Sequence, residues 1–214
     1  MSIGLLGKKL GMTQIYDADG TAIPVTLIQA GPCPILQKRL PEKDGYSALQ
    51  LGFETRTAKN VTQPMQGHFK KAGVEPQRCI REMRMEDTSA FEVGQQLGVD
   101  LFEVGECVDI SGVTKGRGFS GTIRRFRTGR GPTSHGSNYH RRPGSGGASA
   151  DPSHVFKGKK NPGQCGNVNV TIQSLQVIST DKERNILVVK GSVPGATNGY
   201  LMISKSVKQK KKVQ

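Results

Sequence analysis

From residue 112 to residue 165 the chain carries no hydrophobic period of 2 or 3.6 that lasts beyond a few residues. The segments on both sides are regularly patterned. A stretch of about 50 residues without structure of its own is uncommon in a compact domain, and the exceptions are functional or disordered. The flanks must therefore build the fold, and this segment must have another reason to exist.

The flanks read mainly as short strands. LGMTQIYD (10–17) is followed by the turn residues Ala18, Asp19 and Gly20, then by AIPVTLIQA (22–30), rich in β-branched residues. Gly31-Pro32 breaks the pattern before ILQKRL, and YSALQLGFE (46–54) alternates again. One helix is expected at about 62–72, with Thr62 as cap, Pro64 in the first turn, Met65, Phe69 and Ala72 on one face, and Gly73 closing it. Residues 79–110 mix acids with short apolar pieces and end in the strand-like ECVDISGV. Alternation resumes at VNVTIQSLQVIST (168–180), turns at 181–184 and continues through NILVVKGSV and YLMISKSV, which read as two or three antiparallel strands. The expected fold is mainly β: an antiparallel barrel body of residues 1–111 and 166–207 with a short helical insertion. A long basic internal loop (112–165) and a basic tail (208–214) complete the expected organisation.

Charge is distributed along the same division. The formal net charge is +14, and residues 111–160 hold eleven Lys and Arg against a single acid, Asp151. Five more lysines (Lys205, Lys208, Lys210, Lys211, Lys212) mark the C-terminal end. These two attachments account for all of the net charge, so the remainder is close to neutral. A solvated charged face normally mixes signs, and this one does not. The implied partner is a polyanion: nucleic acid first, an anionic membrane surface second.

Other chemistries find little support. GRGFSGT (116–122) contains a GxGxxG, but a dinucleotide site needs a helix next and an acid about 20 residues on. The chain continues IRRFRTGRGP, and Asp151 lies too far along. His135 and His140 flank GSNY without the two tight ligand pairs of a zinc site, so no metal or other cofactor is expected. Ser134 and Ser145 lack a nucleophile elbow. Cys33, Cys79, Cys107 and Cys165 form no CxxC pair and read as reduced, mostly buried thiols of a cytosolic protein. The N-terminus has no signal-peptide core, and no apolar run is long enough to span a bilayer. An enzyme is not expected.

The basic segment itself suits RNA. Arginine binds phosphate bidentately and stacks on bases, glycine lets a backbone approach closely, and Phe and Tyr offer stacking faces. Phe119, Phe126, Tyr139 and Phe156 are spaced as if each had something to pack on, which argues against a disordered tether. RNA stands ahead of DNA because no groove-reading helix is visible. The residues expected to meet RNA are Lys115, Arg117, Arg124, Arg125, Phe126, Arg127, Arg130, His135, Tyr139, His140, Arg141, Arg142, Ser145, Lys157, Lys159 and Lys160.

Several long stretches also carry a resemblance. GLLGKKLGMTQIYD, GTAIPVT (20–26), SGVTKGRGFSGTIRRF, TSHGSNYHRRPGS, VFKGKKNPGQCGN and VVKGSVPGA are similar to the bacterial-type family of large-subunit ribosomal protein three, over essentially the whole chain. The resemblance implies a β-barrel body on the outer face of the large subunit. It also implies a loop that runs inward through 23S-type ribosomal RNA towards the peptidyl transferase centre, with neighbouring ribosomal proteins against the body. It further implies early assembly and no catalysis, in the cytoplasm or, for a plastid-encoded or processed chain, an organelle stroma. By motif the loop tip falls at Gly144 to Ser153, including Gly147, Ala150 and Asp151. Several members of that family carry a methylated glutamine in a G-Q-N-Q stretch at the tip. Here residues 147–150 are Gly-Ala-Ser-Ala, so Ala150 stands where that glutamine would be and cannot carry the modification.

Overall fold

The computed structural model describes residues 3–208. Its strands in chain order are β1 (Gly4–Tyr16), β2 (Ala22–Ala30), β3 (Cys33–Arg39), β4 (Ala48–Thr55), β5 (Gln77–Arg84), β6 (Gln96–Leu97), β7 (Cys107–Val113), β8 (Phe119–Ser120), β9 (Gly163–Gln164), β10 (Asn169–Asp181), β11 (Ile186–Lys190) and β12 (Tyr200–Lys205). The α-helices are α1 (Pro41–Asp44), α2 (Gln63–Ala72) and α3 (Thr122–Phe126).

Six strands close into an antiparallel barrel in the order β1-β12-β7-β10-β11-β2. The closing partner is β1, which pairs β2 through a hairpin at Gly20 (φ 74°) and pairs β12 from the far end of the chain. Closure leaves no strand edge for another chain to extend. Leu5, Val25, Ile28, Ile110, Val177, Leu187, Val189 and Ile203 are buried here. The alternation read from the sequence is the inward and outward pleat of these strands.

A second, four-stranded sheet runs β5-β4-β3-β6, and its Leu49, Leu51, Phe53 and Met83 share one core with the barrel residues Leu5 and Ile203. A smaller cluster of Leu36, Phe69 and Ala72 holds α2. That helix begins after Thr62 and ends at Gly73, whose φ of 67° and bond to the Lys70 carbonyl (3.1 Å) form a left-handed cap. Thr62 occupies the N-cap position without a side-chain bond, and Met65 is exposed rather than on the buried face. Strand β5 follows no clear alternation in the sequence because Arg81 stands on the face of the core residues Cys79 and Met83, while Ile80 falls on the other face with Arg78, Glu82 and Arg84. At the C-terminal end β12 inserts between β1 and β7 instead of continuing the β10–β11 hairpin. Strand pairing over that distance leaves no local sequence signal.

Four free cysteines sit in the chain, Cys33 and Cys79 buried, Cys107 and Cys165 half-buried. Burial pushes the Cys33 thiol up to about 12, which makes it inert. Among the described residues no helix is long and apolar enough to cross a membrane. Of the tail read at 208–214, all beyond Lys208 lies outside the described residues. The chain divides into two compact units. One runs to Val113 and resumes at Asn169, and the other is Thr114–Val168.

Candidate nucleic-acid interface

The insert Thr114–Val168 begins as a two-armed stem. Thr114 N–H donates to the Val168 carbonyl (2.9 Å), Arg117 N–H to Cys165 (2.8 Å) and Cys165 N–H to Gly118 (2.9 Å). Next, β8 pairs β9 through Phe119 opposite Gln164 and Ser120 opposite Gly163. The arms then stay joined by a side chain: Arg125 donates from Nη1 to the Asn161 carbonyl at 2.8 Å. Two glycines permit this approach. A Cβ on Gly166 would collide with the Lys115 carbonyl, and one on Gly163 with the Arg125 guanidinium. Sequence patterning expected no elements here. Strands of two residues and a helix of five are too short for any period to show.

Helix α3 follows GRGFSGT directly, with Gly121 at its N-cap and no acid in its first turn. Its one-and-a-half turns are too few for the dinucleotide fold that the GxGxxG would need. The same helix sets Arg125 over the Phe126 ring, 4.8 Å from its centroid, with Lys160 Nζ at 6.0 Å. Both distances fit cation–π attraction. Arg127 then turns the chain with a left-handed φ of 56°.

Past the stem, Gly131 N–H donates to the His140 carbonyl (2.9 Å), and His140 Nδ1 lies 2.9 Å from the Pro132 carbonyl. This closes a subloop that turns through the positive φ of His135 (58°) and Gly136 (71°). Towards the tip, Ser145 Oγ donates to the Gly147 carbonyl at 3.2 Å, Lys159 donates to the Ser145 carbonyl, and Ser153 Oγ to the Ala150 carbonyl. His154 meets Phe156 edge to face at 5.3 Å. Among the described residues no cluster of His, Cys, Asp and Glu is arranged to hold a metal.

Ten of the eleven basic side chains of the insert are exposed: Lys115, Arg117, Arg124, Arg125, Arg127, Arg130, Arg141, Arg142, Lys157 and Lys160. Lys159 is half-buried. Every ion pair found among the described residues lies in the other unit, such as Arg39 with Asp44 (2.7 Å) and Lys205 with Glu106 (3.0 Å). The aromatics of the insert differ in exposure. Phe119 is 80% exposed and Phe156 63%, so the chain itself gives them little to pack on. Tyr139 is also exposed, and only Phe126 is half-buried. The sequence reading missed Asn161 and the close-approach glycines Gly131, Gly163 and Gly166. Their signal, a glycine opposite a carbonyl of the other arm, requires the pairing to be known.

A closed β body interrupted by an insert of unpaired cations and exposed rings is the architecture of a protein that meets a polyanion. A family model described as ribosomal protein L3 matches residues 82–184. Over 208 residues the chain is 52% identical to the large ribosomal subunit protein uL3 of Desulforudis audaxviator (strain MP104C), covering 97% of each. It is 53% identical over 210 residues to the protein of the same name from Carboxydothermus hydrogenoformans, covering 98% of this chain and all of the relative. The chain belongs to the ribosomal protein L3 family.

Proposed function

We propose that the chain is a structural constituent of the large ribosomal subunit. It binds large-subunit ribosomal RNA, supports early subunit assembly, and shapes RNA near the peptidyl transferase centre through its insert, with no chemistry of its own. The observation that carries this reading is the insert's charge: eleven cations, nearly all exposed, none answered by an acid of the same unit. Family membership supplies the context. In this reading the body (residues 1–111 and 166–207) docks on the RNA surface, where neighbouring ribosomal proteins share contacts. Residues 112–165 enter the RNA, with Gly144, Gly147, Ala150, Asp151 and Ser153 at the tip.

The physical roles follow from exposure. Arginines without acids neutralise phosphates and release counterions, the main source of affinity for nucleic acid. Phe119 and Phe156 offer bare rings for bases. The hydrogen-bonded stem lowers the cost of ordering the insert, which otherwise runs at about 1–2 kcal/mol per residue. That cost then falls chiefly on residues 127–160.

Sedimentation of the native protein through a high-salt gradient tests the reading. Retention with the large subunit is expected. Release at the salt that strips it from any polyanion would sink the proposal in favour of non-specific attraction.

A further inference from the structure

The barrel has no free strand edge, but the second sheet has one. In the order β5-β4-β3-β6 the outermost strand β6 is two residues long, whereas β5 at the other side has eight. Among the described residues every backbone–backbone bond of β5 goes to β4. An open edge of that length is a template for another chain.

Beside this edge lies a groove of about 500 Å³, walled by Cys79 and Arg81 of β5 and floored by the outer face of the barrel. Strand register builds the floor. Met202 of β12 stands opposite Ser111 of β7, and Ser111 opposite Thr171 of β10, with the two hydroxyls 2.7 Å apart. Val113 opposite Asn169 is the next rung on the same face. None of these five side chains is charged, in a chain of net charge +14, so the floor lacks the cations that phosphate requires. The second sheet packs over β1, where Met83 lies against Gly4, and over the Tyr200 end of β12, where Phe53 meets the Tyr200 ring at 6.3 Å. Beyond these the layer stops, and Val113, Asn169 and Thr171 are exposed. A further strand bonded to β5 would extend the layer over β12 and β7, about 10 Å above the barrel face.

Charge selects the occupant. Arg81 meets no acid among the described residues, and its guanidinium folds back onto the Ile80 carbonyl (3.0 Å). Arg78 and Arg84 share the outer face of β5, where Glu82 between them is already held by Arg39, Tyr46 and Gln50. Three arginines on one edge make two copies of β5 repel. A strand with acids at alternate positions is attracted instead, and its other side chains, small or apolar, turn to the floor.

We propose that the β5 edge and its groove receive an extended acidic segment of a partner protein, as a fifth strand of the second sheet. Main-chain hydrogen bonds supply affinity, and the uncharged floor selects the alternate side chains. The site does not depend on the RNA-binding reading. Hydrogen exchange and binding of the full chain with an eight-residue peptide of alternating glutamate and valine test it. The peptide should slow exchange of the β5 amides several-fold. Of two analogues methylated at alternate peptide nitrogens, the one whose methyl groups face β5 should bind roughly tenfold more weakly. R81E should weaken the parent peptide several-fold and leave the thermal transition in place. Equal binding of the parent and both analogues, unchanged affinity in R81E, or protection confined to amides of Thr114–Val168 would each overturn the proposal. Protection of β5 by oligouridylate equal to that by the peptide would give the groove to nucleic acid and overturn it as well.

Discussion

Arg39 and Arg125 are the same side chain in opposite circumstances. In the body, Arg39 is held by the Asp44 and Glu82 carboxylates at 2.7 and 3.2 Å, and Glu82 also accepts from Tyr46 (2.7 Å) and Gln50 (3.3 Å). In the insert, Arg125 meets only a backbone carbonyl and the face of Phe126. The ion pairs found among the described residues all lie in the body unit, and none in the insert. Exposed ion pairs contribute little to stability, about 0–1 kcal/mol each. Their value in the body is to cancel the field, and their absence from the insert lets that field persist at its surface.

The strongest way to break this comparison is to remove the insert's cations together. Replacing residues 124–160 with a Gly-Ser linker deletes nine of them and should lower the salt slope of RNA binding by up to about 8. The thermal transition of the body should stay in place. Its loss would show that the barrel depends on the insert.

A reciprocal perturbation is Ile110→Ala, at a fully buried barrel position. It should destabilise the body by about 2–5 kcal/mol in denaturant titration. The native-state exchange rates of the Gly131 and Cys165 amides, both bonded within the insert, should hardly change. Faster exchange at those amides would couple the two units.

The third change stays within the insert. A Cβ on Gly131 would strike the Tyr139 carbonyl, so Gly131→Ala should disfavour the 131–140 subloop by about 1–3 kcal/mol. Limited proteolysis should then cut the insert faster while the body's transition is unmoved. Cleavage at the wild-type rate would mean that the closed subloop is not a feature of the free chain.

The smallest expected effect concerns the body's charge pairing. The Tyr200 hydroxyl and the Lys8 ammonium hold the Glu54 carboxyl below the usual carboxylate range. A depressed carboxylate contributes stability at pH above its unfolded value, and that contribution is lost as pH falls through the folded value. Glu54→Gln should therefore cost less than about 1 kcal/mol at neutral pH. It should also flatten the acid side of the stability curve. An identical acid limb in the variant would remove Glu54 from the account.

The barrel was legible because its strands are long and half-buried. β2 and β10 each carry enough alternating β-branched residues for the pleat to be read directly. What sequence could not show was which strands meet. The entry of β12 between β1 and β7 depends on pairings such as Leu5 with Ile203, nearly the full chain apart. β5 was missed because Arg81 sits on the inward face between Cys79 and Met83 and Ile80 on the outward one, which breaks the period of two. At the candidate site, charge counting located every cation, since composition needs no geometry. It could not tell that Phe119 would stand bare while Phe126 would sit beneath Arg125, because that depends on the short pairing of β8 with β9.

Val113 and Asn169 are register partners in the barrel, so the chain leaves the sheet and re-enters it at a single rung of the ladder. Such a rung behaves as a splice point. The entropy of closing a loop there grows only logarithmically, by about 0.6 kcal/mol for each doubling of length. Lengthening, shortening or exchanging what lies between those two residues therefore taxes the barrel almost nothing. The rung makes the insert a replaceable cassette, on which selection or an engineer can act without re-threading the host.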